Sequence, residues 1–239
     1  MFKSSLYAII KSKVVDKLKA QKNIIIAIVA FACLCMGVVD AIIQPGYATK
    51  SIIKMVLFLL LPAVYALYDK NCRLKTLFNP DKKGILIALG LGIGVYIVIL
   101  SAYFVFRNVF DFSALTDSLT STTGVNKSNF IWVALYISFA NSLLEEFFFR
   151  GFAFLTLKEV SNRKLAYIVS SGLFAVYHIA MMIGWFSGTV ILVSLLGLFL
   201  GGIIFDYFNE KYNNIYLSWL IHMFANFATN TIGFILFNA

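Results

Sequence analysis

Charged residues are scarce in this sequence. Only 13% of its 239 residues are Asp, Glu, Lys or Arg, whereas 61% are hydrophobic. A soluble domain carries about 25% charged and roughly 45–50% apolar residues. A soluble fold of this size could not bury so much apolar surface. The composition therefore predicts an all-α, polytopic transmembrane helical bundle whose main partner is membrane lipid.

Cysteine is also rare, and paired cysteines are missing. Cys33 and Cys35 lie inside an apolar run and Cys72 lies in a basic loop, so the sequence shows no disulfide framework. The formal charge of +9 comes from short basic runs between apolar stretches. Because these runs do not form one basic face or helix, we expect no nucleic-acid partner.

Apolar runs near the ~20 residues needed to cross a bilayer predict seven spans. They lie at about 24–43, 52–68, 85–106, 130–157, 165–184, 189–205 and 215–237. Basic residues concentrate in alternate connections, which predicts a multi-pass protein of the cell membrane with a cytoplasmic N-terminus and an outer C-terminus. Lys50 and Lys54 are assigned to the connection between the first two spans.

We find no internal repeat and no second domain, so residues 1–239 are predicted to form a single membrane domain. Residues 1–22 place apolar side chains four residues apart among lysines and show no small-residue cleavage site. This pattern predicts an interfacial amphipathic helix; the alternative is a disordered basic tail. The spacings Gly90 to Gly94 and Gly197 to Gly201 predict close helix packing.

The fourth predicted span carries three charged residues, which are costly inside a membrane and need partners. Glu146 and Arg150 are four residues apart, so on a helix they can neutralise each other. Glu145 points about 100° away around the helix axis and cannot share the arginine in the same way. It is therefore the residue that most needs another partner.

Both histidines of the chain, His178 and His222, lie in apolar spans. Asn226 follows His222 by one helical turn, and Phe174 precedes His178 by one turn, where it either lines a site or only packs. At 1.5 Å per residue, Glu145, His178, His222 and Asn226 lie at similar depths, within roughly 10 Å of one another along the membrane normal. We therefore expect one intramembrane polar cluster.

The motifs Glu145-Glu146-x-x-x-Arg150, Phe174-x-x-x-His178 and His222-x-x-x-Asn226 resemble those of the CaaX-protease and bacteriocin-processing (CPBP, or Abi) family. The resemblance covers a CPBP-like core at residues 130–230 and implies an intramembrane endopeptidase. It implies that Glu145 is the general base for a water that His178 also holds. His222 and Asn226 would donate to the oxyanion, with Glu146, Arg150 and Phe174 as supporting residues. The first hundred residues would tune substrate choice.

The resemblance implies a peptide or prenylated-peptide substrate, of the CaaX type or the bacteriocin and pheromone type. Sequence leaves the metal open: Glu145, His178 and His222 could bind zinc with one open position, but Asn226 is a poor zinc ligand and a good oxyanion donor. We therefore expect no cofactor. The sequence lacks the His-Glu-x-x-His zinc helix and the Gly-x-Ser-x-Gly elbow, and Asp40 and Asp206 lie at predicted segment ends without a partner motif.

Two other interpretations remain open. One is a catalytically silent member of the same family, acting as a bacteriocin self-immunity protein or a membrane scaffold. A costly buried glutamate would have no purpose in a pure scaffold. The other is a small transporter or proton relay, for which inverted repeats and broken helices are typical. The sequence shows neither.

Overall fold

The computed structural model of the chain describes residues 2–69, 72, 74–109, 112–183 and 186–238. Every regular element within these ranges is helical, as the composition predicts. Lys70 and Arg73, which contributed to the predicted topology, lie outside the described residues.

Within the described ranges, eight helices follow one another. They are α1 (Phe2–Val38), α2 (Tyr47–Tyr68), α3 (Lys82–Phe106), α4 (Ser113–Thr123), α5 (Phe130–Val160), α6 (Arg163–Met182), α7 (Gly188–Tyr212) and α8 (Tyr216–Asn238). A π-helical segment, Val39–Ile43, extends α1, and a 3₁₀ helix, Leu74–Phe78, lies between α2 and α3. Of the helices α1 to α8, all except α4 are long and apolar enough to cross a membrane. The predicted polytopic bundle of seven spans is confirmed.

Helix α1 continues through residue 22 without a break. Within α1 and its π-helical extension, Ile10–Ile43 is long and apolar enough to cross a membrane, so the predicted interfacial helix and the predicted first span belong to one continuous helix. The side chains from Ile10 to Ala20 are all exposed, and burial begins at Gln21. Residues 10–20 of α1 therefore lack packing contacts that would bury them, and the surface location of the predicted interfacial helix stays a prediction.

The core is built around the second half of α5. Four phenylalanines there, Phe148, Phe149, Phe152 and Phe154, are fully buried. Phe148 stacks on Phe58 of α2, with ring centroids 4.1 Å apart. Outward-facing side chains are large and apolar, such as Leu34, Leu67 and Val98, which are 67–81% exposed. This arrangement of a packed interior and an apolar exterior is the one a lipid environment requires.

The glycine packing prediction is wrong at the positions it named. A Cβ added at Gly90, Gly94, Gly197 or Gly201 would meet no described atom within 4 Å. The close contacts fall at neighbouring glycines instead: Gly92 lies under Phe224 of α8, and Gly202 lies under Ser171 of α6. A four-residue spacing identifies a helix face that can approach another, but it does not decide which face does so.

Candidate active site

Helix α5 changes its winding where it carries the predicted site. Ile137–Asn141 and Glu146–Thr156 are π-helical, and Ser142–Glu145 between them is α-helical. Each π turn bonds residue i to i+5 and thereby widens the helix. Glu145 and Glu146 lie on the boundary between two windings, and both side chains are buried.

The structure brings Glu145 together with both histidines, as the depth argument predicts. Oε2 of Glu145 lies 4.0 Å from Nε2 of His178 and 3.7 Å from Nε2 of His222. These residues come from α5, α6 and α8, and His178 interrupts the helical winding of α6. Three spans therefore present one carboxylate oxygen and two imidazole nitrogens to a common point.

The hydrogen-bond partners of the two Nδ1 atoms determine whether each Nε2 carries a hydrogen or a lone pair at this point. Nδ1 of His178 lies 2.7 Å from the carbonyl oxygen of Phe174, which can only accept, so we assign the hydrogen to Nδ1. Nδ1 of His222 lies 2.9 Å from Oε1 of Glu146, which favours the same assignment. In the neutral rings both Nε2 lone pairs then face Oε2 of Glu145.

Phe174 forms the aromatic wall of this cluster. Its ring meets the His178 ring edge to face at a centroid distance of 4.7 Å, and it meets the His222 ring in the same manner at 5.9 Å. The guanidinium carbon of Arg150 also lies over the Phe174 ring, 3.9 Å from its centroid. Phe174 therefore packs against Arg150 and also lines the site, so both roles considered from the sequence apply to it.

Glu146 and Arg150 pair as predicted, with Oε1 of Glu146 and Nη1 of Arg150 3.3 Å apart. The arginine has a second carboxylate, because its Nε lies 3.7 Å from Oδ1 of Asp206 in α7. Ser170 and Ser171 of α6 each donate a hydrogen bond of 2.9 Å to Asp206. Asp206 is fully buried inside α7, so its assignment to a segment end was wrong. The predicted end at 205 came too early, because α7 continues to Tyr212.

The strongest partner of Glu145 is a residue that the sequence argument assigned to a connection. Lys54 lies within α2 and is only 4% exposed, and its Nζ contacts Oε1 of Glu145. Nζ also donates to Oδ1 of Asn141 at 2.6 Å, and Nδ2 of Asn141 donates to Oε1 of Glu145 at 3.1 Å. The interpretation of Lys54 as a loop topology signal was wrong. Its place next to the run Met-Val-Leu-Phe-Leu-Leu was the available signal of a buried charge.

Asn226 lies one turn beyond His222 but points to a different partner. Its Nδ2 donates to the carbonyl oxygen of Ile137 at 3.1 Å, in the first π turn of α5. This amide is half-buried and has a second N–H hydrogen to donate. The structure thus places Asn226 beside the opened helix backbone, while its contact with a reacting group remains a prediction.

The donor set fits a zinc ion poorly. Tetrahedral zinc with bonds of about 2.0–2.1 Å needs ligand atoms roughly 3.3–3.4 Å apart, and both spacings to Oε2 of Glu145 are larger. Lys54 also places a positive charge on the same carboxylate. Among the described residues, no three His, Cys, Asp or Glu side chains are arranged to hold a metal ion.

Residues 127–228 match the family model described as "Type II CAAX prenyl endopeptidase Rce1-like". This range contains all three motifs and excludes Lys54. Searches of curated proteins and of solved structures gave no match. At the level of the family, the match indicates a CAAX-type intramembrane protease, that is, a hydrolase. The resemblance inferred from the three motifs is confirmed: residues 127–228 of the chain are similar to the Rce1-like family.

Proposed function

We propose that the protein is an intramembrane endopeptidase in which Glu145 activates a water molecule for attack on a peptide bond. One observation carries the proposal: Oε2 of Glu145 and Nε2 of His178 lie 4.0 Å apart and face each other inside the bundle. A water that donates both hydrogens at normal lengths joins acceptors roughly 4.4 Å apart. The spacing therefore suits a bridging water better than a shared metal.

The reaction needs one base and one hydrogen-bond acceptor on the water. Glu145 takes a proton as the water oxygen bonds to the peptide carbonyl carbon, while the carbonyl π electrons move to oxygen and form the oxyanion. When the oxyanion collapses, the C–N bond breaks and Glu145 returns the proton to the leaving nitrogen. The products are a carboxylic acid, which ionises, and an amine. His178 holds the water throughout and undergoes no net change.

We assign the stabilisation of the oxyanion to hydrogen bonds from His222 and Asn226. Nε2 of His222 can donate once both ring nitrogens carry hydrogens, and Glu146 is placed to hold the Nδ1 hydrogen. Asn226 can donate with the N–H that the Ile137 carbonyl does not use. Preset donors in a buried site stabilise developing charge strongly, and removing one typically costs about 10²–10³ in kcat.

The proposed reaction requires no metal. The spacing between Glu145 and the two histidines and the positive charge of Lys54 support this. A chelator should therefore leave cleavage unchanged after prolonged incubation in detergent. Loss of cleavage with a chelator, followed by recovery with zinc, would instead make Glu145, His178 and His222 metal ligands. Metal analysis of the purified protein gives an independent measure of the same question.

The substrate class that we propose is a membrane-associated peptide, either a prenylated CaaX-type peptide or a bacteriocin- or pheromone-type precursor. The test is a panel of quenched fluorescent peptides of both classes, assayed with purified wild type, Glu145→Gln and His178→Ala. We expect at least one class to be cleaved by wild type alone. Equal cleavage by wild type and Glu145→Gln would reject the site. If folded wild type cleaves neither class of peptide, the result would favour a catalytically silent immunity or scaffold protein.

A further inference from the structure

A buried lysine holds one oxygen of the catalytic carboxylate. Lys54 comes from α2, 91 residues before Glu145, and its ammonium contacts Oε1 of Glu145 rather than Oε2. It lies outside residues 127–228, so the matched family segment does not contain it. Burying an ammonium inside a membrane span is costly, which indicates that this contact compensates for the burial.

Lys54, Asn141 and Glu145 form a closed triangle of hydrogen bonds. Lys54 donates to Glu145 and to Asn141, and Asn141 donates to the same Oε1 atom of Glu145. Two donors on one oxygen fix the rotation of the carboxylate about its last carbon–carbon bond. Because Oε1 is held in this way, Oε2 is the oxygen directed at His178 and His222.

The ammonium of Lys54 is enclosed by groups that suit a positive charge. It lies 5.0 Å from the ring centroid of Tyr177 and 5.6 Å from that of Phe58, and both rings present electron-rich faces to a cation. One turn earlier on α2, Lys50 pairs with Asp40 at 2.6 Å. The two lysines of α2 thus serve different carboxylates, and Lys50 provides a matched control for Lys54.

We propose that Lys54 is a positioning residue for catalysis, which anchors Oε1 of Glu145 so that Oε2 points at the water between Glu145 and His178. The proposal rests on the proposed function of Glu145 as general base. It assigns part of the catalytic arrangement to the region before residue 127. From the sequence, that region was expected only to tune substrate choice.

The kinetic test compares Lys54→Met with Lys50→Met and Glu145→Gln on a peptide that wild type cleaves. Met keeps the length and apolar stem of lysine but cannot anchor the carboxylate. We expect kcat of Lys54→Met to fall at least tenfold with KM within about twofold of wild type. Lys50→Met should keep kcat within about threefold. Because a smaller folded fraction would also lower the apparent kcat without changing KM, kcat is expressed per folded enzyme, as measured by size-exclusion chromatography. A loss of kcat that remains after this normalisation would not follow from a purely structural role.

The outcomes separate the two proposals. If Glu145→Gln is inactive while folded Lys54→Met keeps the wild-type kcat, the role of Lys54 is wrong and the general base stands. If Glu145→Gln keeps activity, the proposed function itself is wrong.

A second measurement needs no substrate. We would compare the thermal midpoints of unfolding in detergent for wild type, Lys54→Met, Glu145→Gln and the double variant. Each single change leaves the other partner without its buried contact, whereas the double change removes both. We expect the double variant to unfold at a higher temperature than Lys54→Met and to fold even if Lys54→Met does not. Additive losses would overturn the proposed anchoring contact.

Discussion

At the scale of single residues, the site is an assembly of buried charges joined across helices. Arg150 shows this best: its guanidinium lies between the carboxylates of Glu146 and Asp206 and above the ring of Phe174. Its side chain is completely buried. A charge in such a place depends on its partners, because the surrounding apolar groups cannot replace the water it has lost.

Replacing Arg150 by Met should therefore destabilise the protein strongly. The change leaves two buried carboxylates without a cation, and breaking a buried ion pair in this way costs about 3–5 kcal/mol. Arg163→Met is the matched control, since Arg163 is 64% exposed and pairs with Glu210. A surface pair of this kind contributes only about 0–1 kcal/mol. Thermal unfolding of both variants in detergent measures the difference; equal midpoints would contradict the role given to Arg150.

Part of this site could be predicted from sequence, and the reason is local spacing. Glu145, His178 and His222 were found because each lies in a short motif on an apolar span. Lys54 and Asp206 were missed because their partners lie 91 and 56 residues away along the chain. A helical spacing can indicate that a charge needs a partner, but it does not identify a partner on another helix.

At the scale of elements, the two π-helical stretches of α5 could not be predicted from sequence patterns. Ile137–Asn141 and Glu146–Thr156 contain no Pro that would mark a change in winding. The Ile137 carbonyl in the first of them accepts a hydrogen bond from Asn226 of α8, a contact between helices that local sequence patterns do not reveal. Such π turns are frequently found at functional sites, and here they flank Glu145.

The contact between α6 and α7 gives a sharp test of packing. A Cβ at Gly202 would lie 2.9 Å from Cβ of Ser171 and 3.0 Å from its Cα, whereas a Cβ at Gly201 would meet no described atom within 4 Å. Gly202→Val should therefore force the helices apart and cost about 1–3 kcal/mol. It should also weaken the hydrogen bond from Ser171 to Asp206.

Gly201→Val is the control, with the same residue types one position earlier. We expect its thermal midpoint to remain close to that of wild type, and that of Gly202→Val to fall. The sequence argument placed Gly201, not Gly202, in a helix contact. A larger loss for Gly201→Val would restore that assignment and contradict the packing described for α6 and α7.

At the scale of the whole molecule, the number of spans was predictable because bilayer thickness sets their length. The predicted spans agree with the seven helices, although several ends differ: the first helix starts well before the predicted 24, at Phe2, and the sixth ends at Tyr212 rather than at 205. Hydropathy detects the apolar part of each helix. It does not detect polar turns that continue the helix, and it does not show which helices pack together.

The orientation of the bundle is a separate prediction from the basic loops. In a variant whose cysteines are replaced by alanine, single cysteines at Ser128 and Lys83 place one exposed thiol on each predicted side. We expect an impermeant maleimide to label Ser128→Cys in intact cells and Lys83→Cys only after permeabilisation. The reverse labelling pattern would contradict the cytoplasmic N-terminus.

The proposed reaction depends above all on Glu145 acting as a general base inside the bundle. The most direct measurement is the initial rate of cleavage of one peptide substrate by purified Glu145→Gln relative to wild type. Glu159→Gln is assayed beside it, since Glu159 is an exposed glutamate of the same helix. We predict that Glu145→Gln loses about 10²–10⁴-fold in rate while Glu159→Gln stays within about threefold, and both proteins remain folded. Comparable rates for Glu145→Gln and wild type would contradict the role of Glu145 as the general base.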